Sequence, residues 1–321
     1  MLNNTQEHAL NGNSTYLPPE DLDIARSVAE FLNRPLLLAG DPGTGKTTYA
    51  KHLSIIGSKD LFIFNTKSVS LAQDLFYTYD AVAHFANKEK SAVEFITLEA
   101  FGKSIVNAIG PEVVRKEMLD ERHMNYQLQL LRNHKDCDRI LDRFLKDCKG
   151  NNSVVLIDEI DKAPRDFPND ILNEIEKYEF YMKELGLTFS LDGSDKKIKD
   201  KILVLMTSNF EKNLPDAFLR RCLFYQIEFP IKEKLFKIIK KHIPDIDETL
   251  LDSRIADFFK IRDENGLSKK PSTSELIDCL KWLYNSKSLH LELNKNKAAL
   301  ATLLKKYSDI KLIYKETKVG D

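Results

Sequence analysis

The sequence predicts an α/β fold: a parallel sheet wrapped by helices, followed by a small all-helical C-terminal domain. Three observations carry this. Apolar runs of strand length alternate with amphipathic helical segments up to about Pro230, the pattern of strand–helix–strand crossovers. One of those runs, "LLLAG", leads through a glycine-rich turn straight into a helix. Past "FYQIEFP" only helical segments follow.

Along the chain, residues 1–15 are a polar lead. "YLPPEDLDIARSVAEFLNRP" then begins on prolines and acids and spaces Leu22, Ala25, Val28, Ala29 and Leu32 as one helical face. "LLLAG" is the first strand and "LFIFNT" the second, with "VSLAQDLFYTYDAVAHFA" expected as the helix after it. Residues 88–149 are charged and mostly helical, with "NYQLQLLRNH" and "CDRILDRFLKDC" as amphipathic pieces. "SVVLIDE" is a strand, "PNDILNEIEKYEF" a helix, and a charged hairpin-like stretch ending "GSDKKIKD" precedes the strand "KILVLMTSN". From Ile231 come "KEKLFKIIKKHI", "LLDSRIADFFKIRD", "PSTSELIDCLKWLYN" and "NKAALATLLKKY", all helical. The expected organisation is a lead at 1–15, an α/β domain at 16–230 and a helical domain at 231–321.

Composition narrows the function classes. The 321 residues are 42% hydrophobic, enough for a real core. Lys and Arg number 48 against 49 Asp and Glu, so no global basic field marks a nucleic-acid binder, although a local basic patch is not excluded. Cys137, Cys148, Cys222 and Cys279 form no CxxC pair and no zinc-spaced cluster, which fits reduced thiols in a cytoplasmic protein. The polar start is not a signal peptide, and no apolar run approaches the roughly 20 residues of a membrane helix.

Gly40, Asp41, Pro42, Gly43, Thr44, Gly45, Lys46 and Thr47 match G-x-x-x-x-G-K-S/T in full, between a strand and a helix. Glycines let such a loop curl its backbone N–H groups around phosphates. Lys46 can reach the β- and γ-phosphates of ATP, the Thr47 hydroxyl can ligate Mg²⁺, and Thr48 continues the helix whose N-terminus favours anions. A second acidic element comes from "VVLIDEID": Val154–Ile157 is a buried strand ending in Asp158, a candidate to hold Mg²⁺, and Glu159, a candidate base for the attacking water. Asp161 and Lys162 are expected to cap or pair locally. Asn209 ends a third central strand and could orient the water, or simply form a turn. In "NLPDAFLRRC", Arg220 and Arg221 are solvated charge, a pair with nearby acids, or arginine fingers that reach a neighbouring subunit's γ-phosphate.

With these motifs in place, the chain resembles an AAA+ ATPase, and within that class the MoxR-like group. The resemblance spans about Tyr16 to Leu312. It rests on "YLPPEDL", "RPLLLAGDPGTGKT", "NTKSVSLAQDLFYTYDAVAHF", "VVLIDEIDKAPRDFPNDILNEIE", "TSNFEKNLPDAFLRRCLFYQIEFP" and "KKPSTSELIDCLKWL". It implies an αβα phosphate-loop domain with a C-terminal helical lid, and a homo-oligomeric ring, usually a hexamer, binding ATP with Mg²⁺. It implies that Arg220 or Arg221 acts in trans. It implies that "KKPSTSEL" is the sensor-2 region, where many relatives carry an arginine and this chain offers Lys269, Lys270 and Ser272; Lys270 is the expected nucleotide contact. "KSVSLAQD" falls where relatives place pore- or substrate-facing elements, and residues 180–201 match the hairpin of this branch. The extra helical stretch at about 110–149 departs from the family pattern; it is a solvated elaboration or a docking surface.

The implied activity is ATP hydrolysis coupled to remodelling of a separate client or effector, such as a von Willebrand A-domain protein. Two other readings share the same core. A nucleic-acid-directed motor or loader would use Lys67, Lys196, Lys197, Lys199 and Lys201 along a pore, and a nucleotide-dependent scaffold or sensor in a multi-protein system would bind more than it turns over. Glu159 and the double arginine argue against pure binding.

Overall fold

The computed structural model describes residues 15–110, 130–146, 148–191 and 196–319. The chain forms two compact units. The first holds Pro18–Ala39 and Thr47–Gln226, and the second holds Thr15–Leu17, Gly40–Lys46 and Ile227–Asp321.

The first unit is built on a five-stranded sheet. Its strands are β1 (Leu36–Ala39), β2 (Asp60–Asn65), β5 (Ser153–Asp158), β8 (Ile202–Ser208) and β9 (Leu223–Gln226), in the order β2-β5-β8-β1-β9. Every pairing is parallel. Two antiparallel hairpins stand apart: β3 (Tyr77–Tyr79) with β4 (Ile96–Leu98), and β6 (Glu179–Met182) with β7 (Leu187–Ser190). Burial follows strand position. β1 and β8 are buried at every residue and β5 at all but its last, because a central parallel strand is covered on both faces and needs unbroken apolar sequence. The edge strands β2 and β9 are only partly buried. β9 was not expected as a strand; as a half-exposed edge strand, "LFYQ" lacks the unbroken apolar run that marks β1.

The helices that matter here are α1 (Glu20–Leu32), α2 (Lys46–Gly57), α3 (Ala100–Ile109) and α4 (Asp216–Leu219). α3 lies in the core, with Phe101, Ile105 and Val106 fully buried. Each such side chain contributes roughly 1.5–3 kcal/mol through burial.

The expected helix over "VSLAQDLFYTYDAVAHFA" is not one helix. Ala72–Leu75 makes a 3-10 turn, Tyr77–Tyr79 becomes β3, and Ala81–Ala86 is a short helix capped by the Asp80 carboxylate, which accepts the Ala83 N–H at 2.8 Å. The reason is local chemistry. "FYTY" is aromatic and β-branched, suits a pleated surface, and finds Ile96–Leu98 as a partner. About half of the extra stretch falls outside the described residues; of the rest, Cys137–Ile140 is helical and Leu141–Leu145 a π-helical turn. Lys196 and Lys197 begin a short helix, Lys196–Lys199, rather than extending a hairpin.

The second unit packs α5 (Lys232–His242), α6 (Glu248–Arg262), α7 (Thr273–Asn285), α8 (Lys297–Leu303) and α9 (Tyr307–Val319) around its own core of Leu235, Ile255, Phe258, Leu276, Leu280 and Leu300. α7 starts on a capping box: the Ser272 hydroxyl accepts the Glu275 N–H, and the Glu275 carboxylate accepts the Ser272 N–H at 2.7 Å. None of the four cysteines is in a disulfide, and burial pushes the Cys222 thiol up to about 12. Among the described residues no helix is long and apolar enough to cross a membrane.

Candidate functional site

The carboxyl ends of β5 and β8 bring the acidic pair and the strand-end polar residues together. The register sets Ile157 beside Met206, so Asp158 and Glu159 emerge next to Thr207, Ser208 and Asn209. Asp158 is the hub. Its Oδ1 accepts the Thr47 hydroxyl at 2.9 Å and the Thr207 hydroxyl at 2.6 Å, while Oδ2 lies 3.1 Å from Thr47 Oγ1. The Thr207 hydroxyl also accepts the Glu159 N–H at 2.7 Å. This bond helps hold Glu159 at φ 56°, ψ 52°, a left-handed conformation that a non-glycine residue adopts at a cost of order 1–3 kcal/mol. The turn re-aims the chain so that the Glu159 side chain meets Asn209, whose Nδ2 donates to Oε1 at 2.9 Å.

Two further residues complete this cluster. Lys162 pairs with the second Glu159 oxygen, Oε2, and the carboxylate holds the ammonium above the usual lysine value. Asp161 is buried, and its Oδ2 accepts the backbone N–H groups of Asn209 at 3.2 Å and Glu211 at 2.9 Å. The expectation of local pairing for these two residues describes their contacts but understates their reach. Lys162 touches the candidate base itself, and Asp161 fixes the backbone that carries Asn209. Thr207 was not singled out in the sequence; a hydroxyl at the next-to-last residue of a buried central strand, two residues before Asn209, is the signal that could have found it.

The loop itself, Gly40–Lys46, groups with the second unit. The Lys46 ammonium is buried and donates to the carbonyls of Gly40 at 2.7 Å and Asp41 at 3.0 Å. The Thr44 hydroxyl donates to the Asp41 carbonyl at 2.9 Å, closing the turn. Gly43 and Gly45 take φ +76° and +95°. A Cβ at Gly43 would fall 2.5 Å from the Ser272 Cβ, and one at Gly45 would fall 2.6 Å from the Tyr16 ring. Both glycines are therefore required for backbone shape and for space. Arg262 was not anticipated. It donates to the Asp41 carboxylate at 3.1 Å from the end of α6, and the only sequence signal was an arginine at the end of the apolar segment "FFKIR".

The remaining predicted residues are spread out. Pro42 and Thr48 are exposed, as is Lys270 just ahead of α7. Arg220 and Arg221 follow α4 and are both exposed. Arg221 donates to Glu176 at 3.3 Å and to the Ala217 carbonyl at 3.2 Å. Among the described residues no ion pair engages Arg220. Nor do three or more His, Cys, Asp or Glu side chains gather into a metal cluster among those residues.

A glycine-rich loop that runs in sequence from a strand into a helix, with Thr47 bonded to the acidic end of another strand, defines the phosphate-loop class of nucleotide-binding proteins. The chain belongs to the ATPase family associated with various cellular activities (AAA), whose model matches residues 36–231. This membership carries an ATPase domain and, with it, nucleotide binding. No curated protein gives a significant match to the chain. Among solved structures it is similar to the Thermotoga maritima RuvB Holliday junction branch migration motor, at 11% identity and a TM-score of 0.44, covering 92% of this chain and 67% of that one. Two point mutants of the same RuvB align at 13% identity and TM-scores of 0.42, covering 94% and 95% of this chain and 68% and 70% of theirs. Family membership rests on the sequence model, not on these alignments.

Proposed function

We propose that this protein is a Mg²⁺-dependent ATPase of the MoxR-like branch, working as a homo-oligomeric ring, hexameric in that branch, that remodels a separate partner protein in the cytoplasm. One observation carries the hydrolytic part of this reading. Thr47, Asp158, Glu159, Thr207 and Asn209 converge from three separate chain segments into one bonded group, with Glu159 turned toward Asn209 by a left-handed backbone.

In this reading residues 16–230 are the ATPase domain and 231–321 the helical lid. The loop Gly40–Thr47 takes the phosphates on its N–H groups, with Lys46 reaching the β- and γ-phosphates. The Thr47 hydroxyl and the Asp158 carboxylate are hard oxygen donors already 2.9 Å apart, a set that suits Mg²⁺ shared with phosphate oxygens. The bound ion would supply charge neutralisation on the phosphates. Glu159 takes the proton of the attacking water, Asn209 fixes that carboxylate and the water, and Lys162 restrains the second Glu159 oxygen. Arg220, which stands clear of the Glu176 pairing that engages Arg221, is the better candidate for the arginine acting in trans, and Lys270 is retained as a secondary nucleotide contact. A von Willebrand A-domain protein is the kind of partner the MoxR-like resemblance suggests.

The test is specific ATPase activity against protein concentration with Mg²⁺, with the same samples sized. Activity per subunit that climbs and saturates as the oligomer forms supports a site shared between subunits. Full activity in a sized monomer removes the ring, and no activity at any concentration leaves binding without turnover. Stimulation by single- or double-stranded DNA, rather than by a protein, would favour a nucleic-acid motor instead.

A further inference from the structure

We infer that Arg262 and Asp41 form a clasp that sets the conformation of the phosphate loop, which makes Arg262 a positioning residue for nucleotide. The inference rests on reading Gly40–Thr47 as a nucleotide loop. Arg262 is the last residue of α6, and its side chain is only 8% exposed. A guanidinium removed from water must be paired and hydrogen-bonded to persist there. Three partners answer that requirement. Nη2 donates to Asp41 Oδ2 at 3.1 Å. Nη1 donates to the Pro271 carbonyl. The guanidinium carbon sits 3.6 Å from the centroid of the Phe229 ring, a cation–π contact.

These partners differ in kind. Phe229 and the Pro271 carbonyl hold the arginine in place. The Asp41 carboxylate, 66% exposed, is what the arginine holds. The fork geometry of a guanidinium suits this double duty, because it fixes two acceptors at once in one plane. The two acceptors lie at two ends of the same local structure. Asp41 opens the loop, and Pro271 immediately precedes Ser272, whose Cβ and Oγ occupy the space a side chain at Gly43 would need, at 2.5 and 2.6 Å. One buried arginine therefore ties the first turn of the loop to the segment that packs on its middle, all within the second unit. The Lys46 ammonium is bonded to the carbonyls of Gly40 and Asp41, so the clasp also fixes the carbonyl that lysine leans on.

A double-mutant cycle on the full chain tests this, read by titration with a fluorescent ATP analogue and by steady-state kinetics. Asp41→Asn should raise the nucleotide dissociation constant and KM about threefold, the scale of a part-exposed ion pair, with kcat within about twofold. Arg262→Gln should do the same, and the double variant should be no worse than the poorer single one. Arg262→Lys, which keeps the charge, should recover part of the loss. Additive losses, or an unchanged dissociation constant in Asp41→Asn, would overturn the clasp. So would an effect on thermal unfolding alone, because a purely structural arginine moves stability and leaves the KM-to-kcat split untouched. If Arg262→Gln does not fold, Asp41→Asn with Arg262→Lys decides the matter, since Asp41 is exposed. Lys46→Ala is run alongside. If it still binds nucleotide, the loop reading itself fails; if it does not, a null result at Asp41 removes only the clasp.

Discussion

Glu159 shows how much of this site is decided at single residues. Its left-handed backbone is braced by one hydroxyl, Thr207, which also bonds the Asp158 carboxylate, so the two neighbouring residues share a support. If Glu159 is the base, Glu159→Gln keeps the shape and the Asn209 contact but removes the proton acceptor. We expect ATP binding within about twofold of wild type and turnover down by about 10²–10⁴, checked by analogue titration and phosphate release. Wild-type turnover would remove Glu159 from the role. Lys46→Ala deletes the buried ammonium from the loop, and ATP binding should fall below detection in the same titration. Unchanged affinity would show that the loop is not a phosphate cradle.

Elements are held to one another by buried carboxylates. Asp161 bonds two N–H groups in the segment after β8, and no apolar residue can replace it there. Asp161→Ala should cost about 1–3 kcal/mol in denaturant unfolding, because it leaves buried donors unpaired. It should also slow turnover by displacing Asn209, with KM for ATP little changed; unaltered kcat would mean that the backbone clamp does not serve the site. In the second unit, Asp309 plays a comparable part. Burial alone would push its carboxyl up, but the hydroxyl of Ser268 at 2.7 Å, the Ser268 N–H and the Ser308 hydroxyl outweigh burial and hold it below the usual aspartate range. A carboxyl that is more acidic folded than unfolded adds stability above its unfolded value, near about 4, and loses it as pH falls through the lower folded value. Stability of the wild type should therefore drop, as pH falls below about 4, by more than that of Asp309→Asn, measured by denaturant titration over the acid range. Parallel curves would dismiss the carboxylate as a contributor.

At the scale of the whole molecule, the arginines after α4 are exposed rather than directed at the chain's own Asp158 cluster by any bond among the described residues. That arrangement suits action on a neighbouring copy. Arg220→Ala with Arg221→Ala should leave ATP binding intact and lower turnover by about 10³–10⁵. Mixing those subunits with Glu159→Gln subunits should restore hydrolysis, because a site with an intact glutamate then meets an intact arginine from its neighbour. A mixture as inactive as its components would place the arginines outside the site.

The sequence by itself determined the class. A full phosphate-loop motif, an apolar strand ending in Asp158 and Glu159, and an Asn-ended strand are local patterns, and each is legible because its physics is local: glycine freedom, parallel-strand burial, polar strand ends. Only the tertiary structure decided what those residues touch. That "FYTY" pairs with Ile96–Leu98 rather than extending a helix depends on a partner about 20 residues away. That Thr207 bonds both the Asp158 carboxylate and the Glu159 N–H depends on the β5–β8 register. That Arg262 reaches Asp41 joins positions 221 residues apart. Contacts of that span follow from packing, which no window of neighbouring residues encodes.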